Sequence, residues 1–300
     1  MDLAEGTTNR LKDCAVYAED SYTMPGVYNE DRKGALFAEG NIIMSGYGAL
    51  VVEGEYKHAV VTDGCYYQRP GVTVAITKTA RNGIHAKGDS DDGTGIVIDG
   101  GVVVAELSST AGKGLKCDGD IAINGGVLNI STSGDATYDS EENDTSAAAA
   151  IKSNGNTYIC AGVLNLSSSG SGGKGISTDG NLEINGGVIN IATSGGQYRY
   201  SNSLTSSPKG IRADGNITIN GGKLNISVTG ASEGSEMEGA MLGIPSIAVS
   251  LASMNPEYDD FRFSAKFVHS LLKQIKDFKF PRKSILNVNI PLLDEDDIAG

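Results

Sequence analysis

Short runs of alternating apolar and polar residues recur along the first three quarters of the chain and are separated by glycine-rich turns. The last copy reads "GIRAD", "NITIN" and "KLNISV", with Gly215 after the first run and Gly221-Gly222 after the second. Alternation with a period of two over such short runs indicates β-strands and not helices. Each copy therefore predicts three strands with their apolar side chains on one face.

The copies repeat with a minimal period of about 24 residues, and longer copies carry insertions. The small residue in the first run of each copy falls at Ala35, Ala59, Gly83, Gly114, Ala150, Gly175 and Gly210. Three strands per period predict an all-β fold, a right-handed parallel β-helix of about seven coils. Stacked coils place equivalent residues about 4.8 Å apart, so that outward side chains form ladders.

The composition narrows the possible functions. A formal net charge of −13 argues against a nucleic-acid partner, which needs a basic surface. No apolar run reaches the roughly 18 residues of a membrane-spanning helix. The four scattered cysteines match no metal-binding or disulfide spacing. We therefore expect neither nucleic acid nor a membrane span, and the pattern does not determine the oligomeric state.

One outward column of the predicted coils carries acidic side chains, among them Asp118, Asp179 and Asp214. A basic column lies two residues earlier and contains Lys116, Lys152 and Arg212, which we take as candidate ligand-binding residues. Carboxylates about 4.8 Å apart repel each other. Either calcium or the basic column can offset that repulsion. A third interpretation is that each Asp-Gly pair simply forms a tight turn.

Two insertions leave the same corner of the predicted coils, and the coil between them has none. "GDATYDSEENDTS" contains Asp139 and Glu141, and "GGQYRYSNSLTSSP" contains Tyr198, Arg199 and Tyr200. Such loops can wall a groove in which tyrosines stack on sugar rings and acidic residues hold calcium. The competing interpretation is that both are solvated, variable loops.

A third insertion, "DSDDGTG", interrupts the third copy at residues 89–95. Its aspartates are spaced like a fragment of a calcium loop: Asp89, Asp91 and Asp92. The distal glutamate of such loops is missing, so the pattern gives only a candidate site.

The phrase "ALFAEGNIIMSGYGALVVEGEYKHAV" and the repeated "KGI", "DGN" and "INGG" words resemble a bacterial family of carbohydrate-binding parallel β-helix proteins. The resemblance covers residues 1–232. It implies a secreted or surface-attached protein that binds calcium and adheres to cellulose and to acidic polysaccharides such as polygalacturonate. It also implies a signal peptide and earlier coils, so we expect a chain truncated at its N-terminus.

The pattern changes near residue 232. Apolar residues at 3- and 4-residue spacing predict an amphipathic helix over 260–278, and "SILNVNIP" at 284–291 predicts a strand, as in an α/β sheet. "EGAMLGIPSIAVSLAS" and "SILNVNIP" resemble an internal fragment, residues 236–297, of the SurE survival proteins, which are cytoplasmic metal-dependent nucleotidases. The Asp pair of that family's metal site has no counterpart here, so we expect no catalysis from residues 233–300.

Two interpretations of this join stay open. In a true fusion, the α/β segment caps the open end of the β-helix, which would otherwise expose strand edges and core. In the second interpretation, two unrelated coding fragments have been joined, which the expected truncation at both ends favours.

The leading hypothesis is a non-catalytic module that binds polysaccharide outside the cell with the help of calcium. Its ligand would be an acidic plant-type polysaccharide or cellulose. A second hypothesis is a pectate-lyase-like enzyme that uses Arg212 beside Asp179 and Asp214, although such a set is usually a salt bridge. A third is SurE-type hydrolysis of a phosphomonoester, and a fourth is a purely structural surface repeat.

Overall fold

The computed structural model describes residues 1–13, 34–88, 93–230, 246–252, 261–275 and 285–291. The chain divides into two compact units, Met1–Ser232 and Glu233–Gly300. The first unit consists mostly of β-strands, as its alternating pattern predicts. Across the described ranges, no helix combines the length and apolarity needed to cross a membrane.

Three parallel sheets make up the first unit. Sheet 1 contains β1 (Asp2–Leu3), β4 (Ile42–Gly46), β7 (Tyr66–Gln68), β10 (Thr94–Ile98), β13 (Asp120–Ile123), β18 (Thr157–Ile159), β21 (Leu182–Ile184) and β26 (Ile217–Ile219). Sheet 2 contains β2 (Thr8–Lys12), β5 (Ala49–Gly54), β8 (Thr73–Thr79), β11 (Val102–Leu107), β14 (Val127–Thr132), β19 (Val163–Ser168), β22 (Val188–Thr193) and β27 (Lys223–Val228). Sheet 3 contains β3 (Gly34–Ala38), β6 (His58–Thr62), β9 (Ile84–Ala86), β12 (Lys113–Cys117), β17 (Ala149–Ser153), β20 (Lys174–Thr178) and β25 (Lys209–Ala213).

The chain visits the three sheets in rotation, and we call one visit to all three a circuit. Each strand pairs in parallel with the corresponding strands of the circuits before and after it. Leu115 in β12, for example, lies between Ile84 and Ile151 of the neighbouring circuits. This register confirms the all-β, parallel part of the prediction, while the right-handed coil itself stays a prediction.

A single apolar core draws on all three sheets. In the fourth circuit, Leu115, Ile121 and Leu128 come from sheets 3, 1 and 2 and are fully buried, as the alternation predicts. Neighbouring side chains such as Lys116, Ala122 and Asn129 point outward and are partly buried or exposed. Period-2 alternation thus assigns the faces of this circuit correctly.

The Asn-Gly-Gly turns connect sheet 1 to sheet 2 in three circuits. Their second glycine has a positive φ of 89° at Gly126, Gly187 and Gly222. Residues other than glycine rarely adopt a positive φ of this size. A Cβ on Gly187 would also lie 2.9 Å from the carbonyl oxygen of Gly162. The repeated glycine is therefore required by backbone conformation and by the close approach of successive circuits.

The last circuit departs from the predicted burial. Ile219 and Ile226 occupy inward columns but are 40% and 41% exposed. They lie in β26 and β27, which are the terminal strands of their sheets and pair on one side only. The alternation predicts direction, whereas burial depends on the strands stacked above and below.

The two insertions each fold into an antiparallel hairpin. The first consists of β15 (Thr137–Asp139) and β16 (Asp144–Ser146), and the second of β23 (Tyr198–Arg199) and β24 (Thr205–Ser206).

In the second unit, β28 (Ser246–Ala252) pairs in parallel with β29 (Ile285–Pro291), and α1 (Phe261–Ile275) lies between them in sequence. The helix and strand predicted from residues 260–278 and 284–291 are therefore confirmed within the described residues.

Candidate functional site

The outer face of sheet 3 carries the predicted basic column in register. Lys116 lies between His85 and Lys152 on the neighbouring strands, and Ser177 separates Lys152 from Arg212. Four strands of the sheet thus place basic side chains in one line, because successive circuits repeat the same outward position.

Every cation in this predicted ligand-binding set contacts an aspartate. Lys116 Nζ lies 2.5 Å from Asp118 Oδ1, and Lys152 forms an ion pair with Asp179. Arg212 reaches Asp179 at 3.3 Å and Asp214 at 2.7 Å. The basic column therefore offsets the repulsion between the carboxylates. The sequence analysis had left open whether calcium or this column does so.

His85 and Lys116 together stabilise the charged form of Asp118. Burial alone would raise the pKa of this carboxyl, but its contacts with His85 and Lys116 outweigh burial and hold the pKa below its ordinary value. The distance from His85 Nε2 to Asp118 Oδ2 is 3.4 Å, which is longer than an ordinary hydrogen bond. Asp118 thus remains an anion in contact with His85 and Lys116, and it also accepts a hydrogen bond from Asn154 Nδ2 at 3.3 Å.

The predicted calcium ligands already have partners within the chain, and calcium binding by them stays a prediction. Calcium takes six to eight oxygen ligands. Asp118, Asp179 and Asp214 are each held by cations, and Asp139 Oδ1 accepts a hydrogen bond from the backbone N–H of Glu141 at 3.1 Å. Over the residues that the structure describes, no three His, Cys, Asp or Glu side chains cluster closely enough for a metal ion.

The third calcium candidate, formed by Asp89, Asp91 and Asp92, lies outside the described residues.

The two hairpins meet instead of leaving an open groove between them. The rings of Tyr138 in the first hairpin and Tyr200 in the second stack with centroids 4.1 Å apart and planes 4° from parallel. Tyr200 is still 55% exposed, so one part of its surface faces solvent. Tyr198 is half-buried, and Arg199 Nη2 donates a hydrogen bond to Gln197 Oε1 at 3.1 Å. The predicted residues Tyr198 and Tyr200 therefore belong to a pair of hairpins, residues 137–146 and 198–206, that are joined by this stacking contact. We call this pair of hairpins the clasp.

Two lysines that the sequence analysis did not single out anchor this clasp. Lys113 Nζ donates a hydrogen bond to Ser146 Oγ at 2.8 Å, at the end of the first hairpin. Lys174 Nζ donates to Ser206 Oγ at 2.8 Å, at the end of the second. Burial lowers the pKa of Lys113 to about 8. The signal that could have found them was the lysine that opens the "KG" word at the start of each circuit that carries one of these two insertions.

The outer face of sheet 2 presents a ladder of asparagine side chains: Asn129, Asn165, Asn190 and Asn225. Nδ2 of each later asparagine donates a hydrogen bond to Oδ1 of the preceding one, at 2.7 to 2.8 Å. A groove of about 620 Å³ lies along this ladder, and its lining includes Ser167 and Ser227. This open, shallow surface therefore carries regularly spaced polar groups.

The fold and this surface define an all-β repeat protein that displays ladders of polar side chains. A family model described as "Carbohydrate-binding domain-containing protein" matches residues 1–66, 70–172 and 168–242. The chain belongs to this family of carbohydrate-binding proteins.

A second family model, "Survival protein SurE", matches residues 217–300. Similar curated proteins are the 5'-nucleotidase SurE of Thermosynechococcus vestitus, 48% identical over 64 residues, and that of Methylococcus capsulatus, 41% identical over 63 residues. Each match covers 21% of this chain, and 23% and 24% of the relative, respectively. The chain therefore spans about a quarter of the length of the curated relatives that it matches. No solved structure matches the chain.

Proposed function

We propose that the protein binds a neutral polysaccharide, with cellulose as the test ligand, along the asparagine ladder on the outer face of sheet 2. The observation that carries the proposal is a groove whose lining includes the ladder residues Asn165, Asn190 and Asn225, in a chain of a carbohydrate-binding family. Sugar recognition requires donors and acceptors arranged over a surface of matching shape.

The ladder supplies such groups at a regular interval. An asparagine amide has two N–H donors and an oxygen with two lone pairs. One donor of Asn165, Asn190 and Asn225 is used within the ladder, which leaves the second N–H and part of each oxygen for a ligand. Successive amides repeat about every 4.8 Å, as strands do, so an extended sugar chain lying across the strands meets one amide after another.

The same proposal includes the right-handed parallel β-helix. Strands of one sheet pair with those of the next circuit throughout, and a single core lies among the three sheets. Parallel crossover connections are right-handed in nearly all proteins, which supports that hand here. A rigid solenoid of this kind would keep the ladder straight enough to follow an extended ligand.

Charge favours a neutral ligand over an acidic one. The basic residues Lys116, Lys152 and Arg212 already contact aspartates, and the net charge of −13 repels a polyuronate. Polygalacturonate would therefore need calcium as a bridge between carboxylates, and calcium-assisted binding stays a prediction. The same ion pairs disfavour Arg212 as the base of a pectate-lyase-like reaction.

Retention on solid ligands tests the proposal. We expect the protein to remain on insoluble cellulose in the presence of a chelator, and to remain on pectate gel only when calcium is added. The paired substitution Asn165→Ala and Asn190→Ala should release it from cellulose. Asn220→Ala, which changes a ladder at the turn between sheets 1 and 2, is the matched control and should bind normally.

Retention of the Asn165→Ala, Asn190→Ala variant at the level of the unchanged protein would overturn the assignment of the groove. Release of unsaturated uronates from pectate would revive the lyase hypothesis. Because its ligand would be an extracellular polymer, we also propose a location outside the cell or on its surface, which fractionation of the source cells would test.

The similarity to SurE proteins favours one second candidate, metal-dependent hydrolysis of nucleoside monophosphates. The sequence analysis found no counterpart of that family's metal-site Asp pair in residues 233–300, and such a reaction depends on the bound metal ion. The expectation of an inactive segment stays a prediction. Release of phosphate from a nucleoside monophosphate in the presence of added divalent metal would contradict it.

A further inference from the structure

The outer face of sheet 1 carries an uncharged column across five adjacent strands. Its members are in register and are Ile43, Tyr67, Val97, Ala122 and Tyr158. The next strand ends the column with a charged residue, Glu183. The sequence analysis did not single out this surface, because the tyrosines are 91 residues apart and belong to different circuits.

The two tyrosines point outward because their strands alternate strictly. Tyr66 and Gln68, on either side of Tyr67, are completely buried, and so are Thr157 and Ile159 beside Tyr158. Three strand steps separate Tyr67 from Tyr158, which places them about 14 Å apart along the column. The sheet thus fixes both the spacing and the direction of two aromatic rings.

A second column, two residues further along each strand, provides a polar border. Arg69 pairs with Asp99, and Asn124 Nδ2 donates a hydrogen bond to Asp99 Oδ1 at 2.9 Å. The Arg69 guanidinium carbon lies 5.9 Å from the centroid of the Tyr67 ring. This border has little net charge, because its cation and anion neutralise each other, and its side chains are already ordered by mutual contacts.

We infer that this face is a second binding site for the same class of ligand, a neutral sugar chain, with Tyr67 and Tyr158 as its stacking residues. Sugar rings have C–H faces that pack on aromatic rings and hydroxyl edges that need hydrogen bonds. The uncharged column offers the first surface, and the Arg69–Asp99–Asn124 border offers the second. The inference rests on the proposed function, since it takes the ligand class from it.

A neutral ligand fits the charge on this face better than a protein or lipid partner would. The column itself has no charge, and the ion pair beside it leaves no free cation to attract an acidic surface. Only Ile43 is a largely exposed aliphatic residue there, at 44%, so the face offers little of the apolar area on which protein–protein contacts depend.

Binding of cellohexaose by calorimetry tests the inference with three variants. The pair Tyr67→Ala and Tyr158→Ala should weaken binding by roughly fivefold or more, since each aromatic contact is worth about two- to tenfold. The pair Tyr67→Phe and Tyr158→Phe keeps both rings and should restore most of the affinity. Tyr56→Ala removes a tyrosine that is 40% exposed elsewhere on the unit, and should bind normally.

The outcomes separate this inference from the proposed function. Loss of binding in the tyrosine pair with recovery in the phenylalanine pair supports the inference. Normal binding by the tyrosine pair overturns it, and leaves the groove standing if the Asn165→Ala, Asn190→Ala variant still loses affinity. If only the Tyr67→Ala, Tyr158→Ala variant loses affinity for cellohexaose, the assignment of the groove is overturned and the inference about this face is supported.

Thermal unfolding of each variant shows whether it is folded, so that misfolding is not read as loss of a site. Analytical ultracentrifugation tests whether a second copy of the chain, instead of a sugar, binds to this face of sheet 1. A dimer of the unchanged protein that disappears in the tyrosine pair, without any change in sugar binding, would overturn the inference.

Discussion

The environment of His58 leads us to expect that the first unit loses stability in mild acid. This histidine is buried at the start of β6, and its Nδ1 accepts a hydrogen bond from the backbone N–H of Asn82 at 3.2 Å. Burial, and to a smaller extent electrostatic interaction with His85, Lys57 and Arg81, together lower the pKa of His58 from 6.5 to about 3. The folded protein therefore keeps this side chain neutral where the unfolded chain would protonate it.

The sign and size of the effect follow from proton binding. Between pH 6.5 and about 3 the unfolded state binds a proton at His58 that the folded state does not bind, so stability falls as the pH falls. From pH 7.0 to 5.5 this difference amounts to about 1.3 kcal/mol. For a unit of this size, that loss lowers the melting temperature by about 3 °C.

Thermal unfolding at pH 7.0 and 5.5 measures the effect, and near-ultraviolet circular dichroism reports on the correct unit because every tyrosine except Tyr258 lies within residues 1–232. The lower pH stays above the isoelectric point of 4.7. His58→Asn keeps an acceptor for the Asn82 N–H but removes the titration. His269→Asn makes the same change at an exposed helical position and is the control.

We expect the unchanged protein and the His269→Asn variant to lose about 3 °C on acidification, and the His58→Asn variant to lose much less. Equal losses in the unchanged protein and in His58→Asn would refute the argument that buried, neutral His58 controls stability in this range.

Three further predictions concern the core, the charge ladder and the clasp. Ile191→Ala, at 3% exposure, should cost about 2–5 kcal/mol in urea unfolding, whereas Ile226→Ala at the equivalent position of the last circuit should cost much less; equal costs would contradict the burial argument. Asp179→Asn removes two ion pairs and should cost about 1 kcal/mol at low salt and less in 1 M salt; a calcium-dependent rise in melting temperature that this variant abolishes would instead place calcium there. A double-mutant cycle of Tyr138→Ala and Tyr200→Ala should give a coupling energy of about 0.5–1.5 kcal/mol, and a coupling of zero would show that the stack does not hold the hairpins together.

The sequence repeat predicted much of the candidate surface. Outward ladders were expected from the stacked circuits, and the asparagines of sheet 2 form one in which their amides bond to one another: Asn129, Asn165, Asn190 and Asn225. The basic and acidic columns were expected two residues apart, and this spacing is confirmed. These features were predictable because a strand fixes its side-chain direction by local alternation, and a repeat copies it from circuit to circuit.

The pairing of individual charges was not predictable in the same way. Lys116 bonds to Asp118 of its own circuit, but Lys152 bonds to Asp179 of the next circuit, because Asn154 occupies the acidic position in its own. Which carboxylate a long flexible side chain reaches depends on distances between circuits and on the neighbours that compete for it. Those distances are not a property of any single stretch of sequence.

The sequence by itself determined the strands, the inward and outward faces, and the point near residue 232 where the repeat gives way to a SurE-like segment. Short alternating runs and obligatory glycines encode these features locally. Only the tertiary structure decided that Tyr138 meets Tyr200, that Lys113 and Lys174 anchor their hairpins, and that Tyr67 and Tyr158 share one face. These contacts depend on how insertions of different lengths fold over stacked circuits, which brings together residues that lie far apart along the chain.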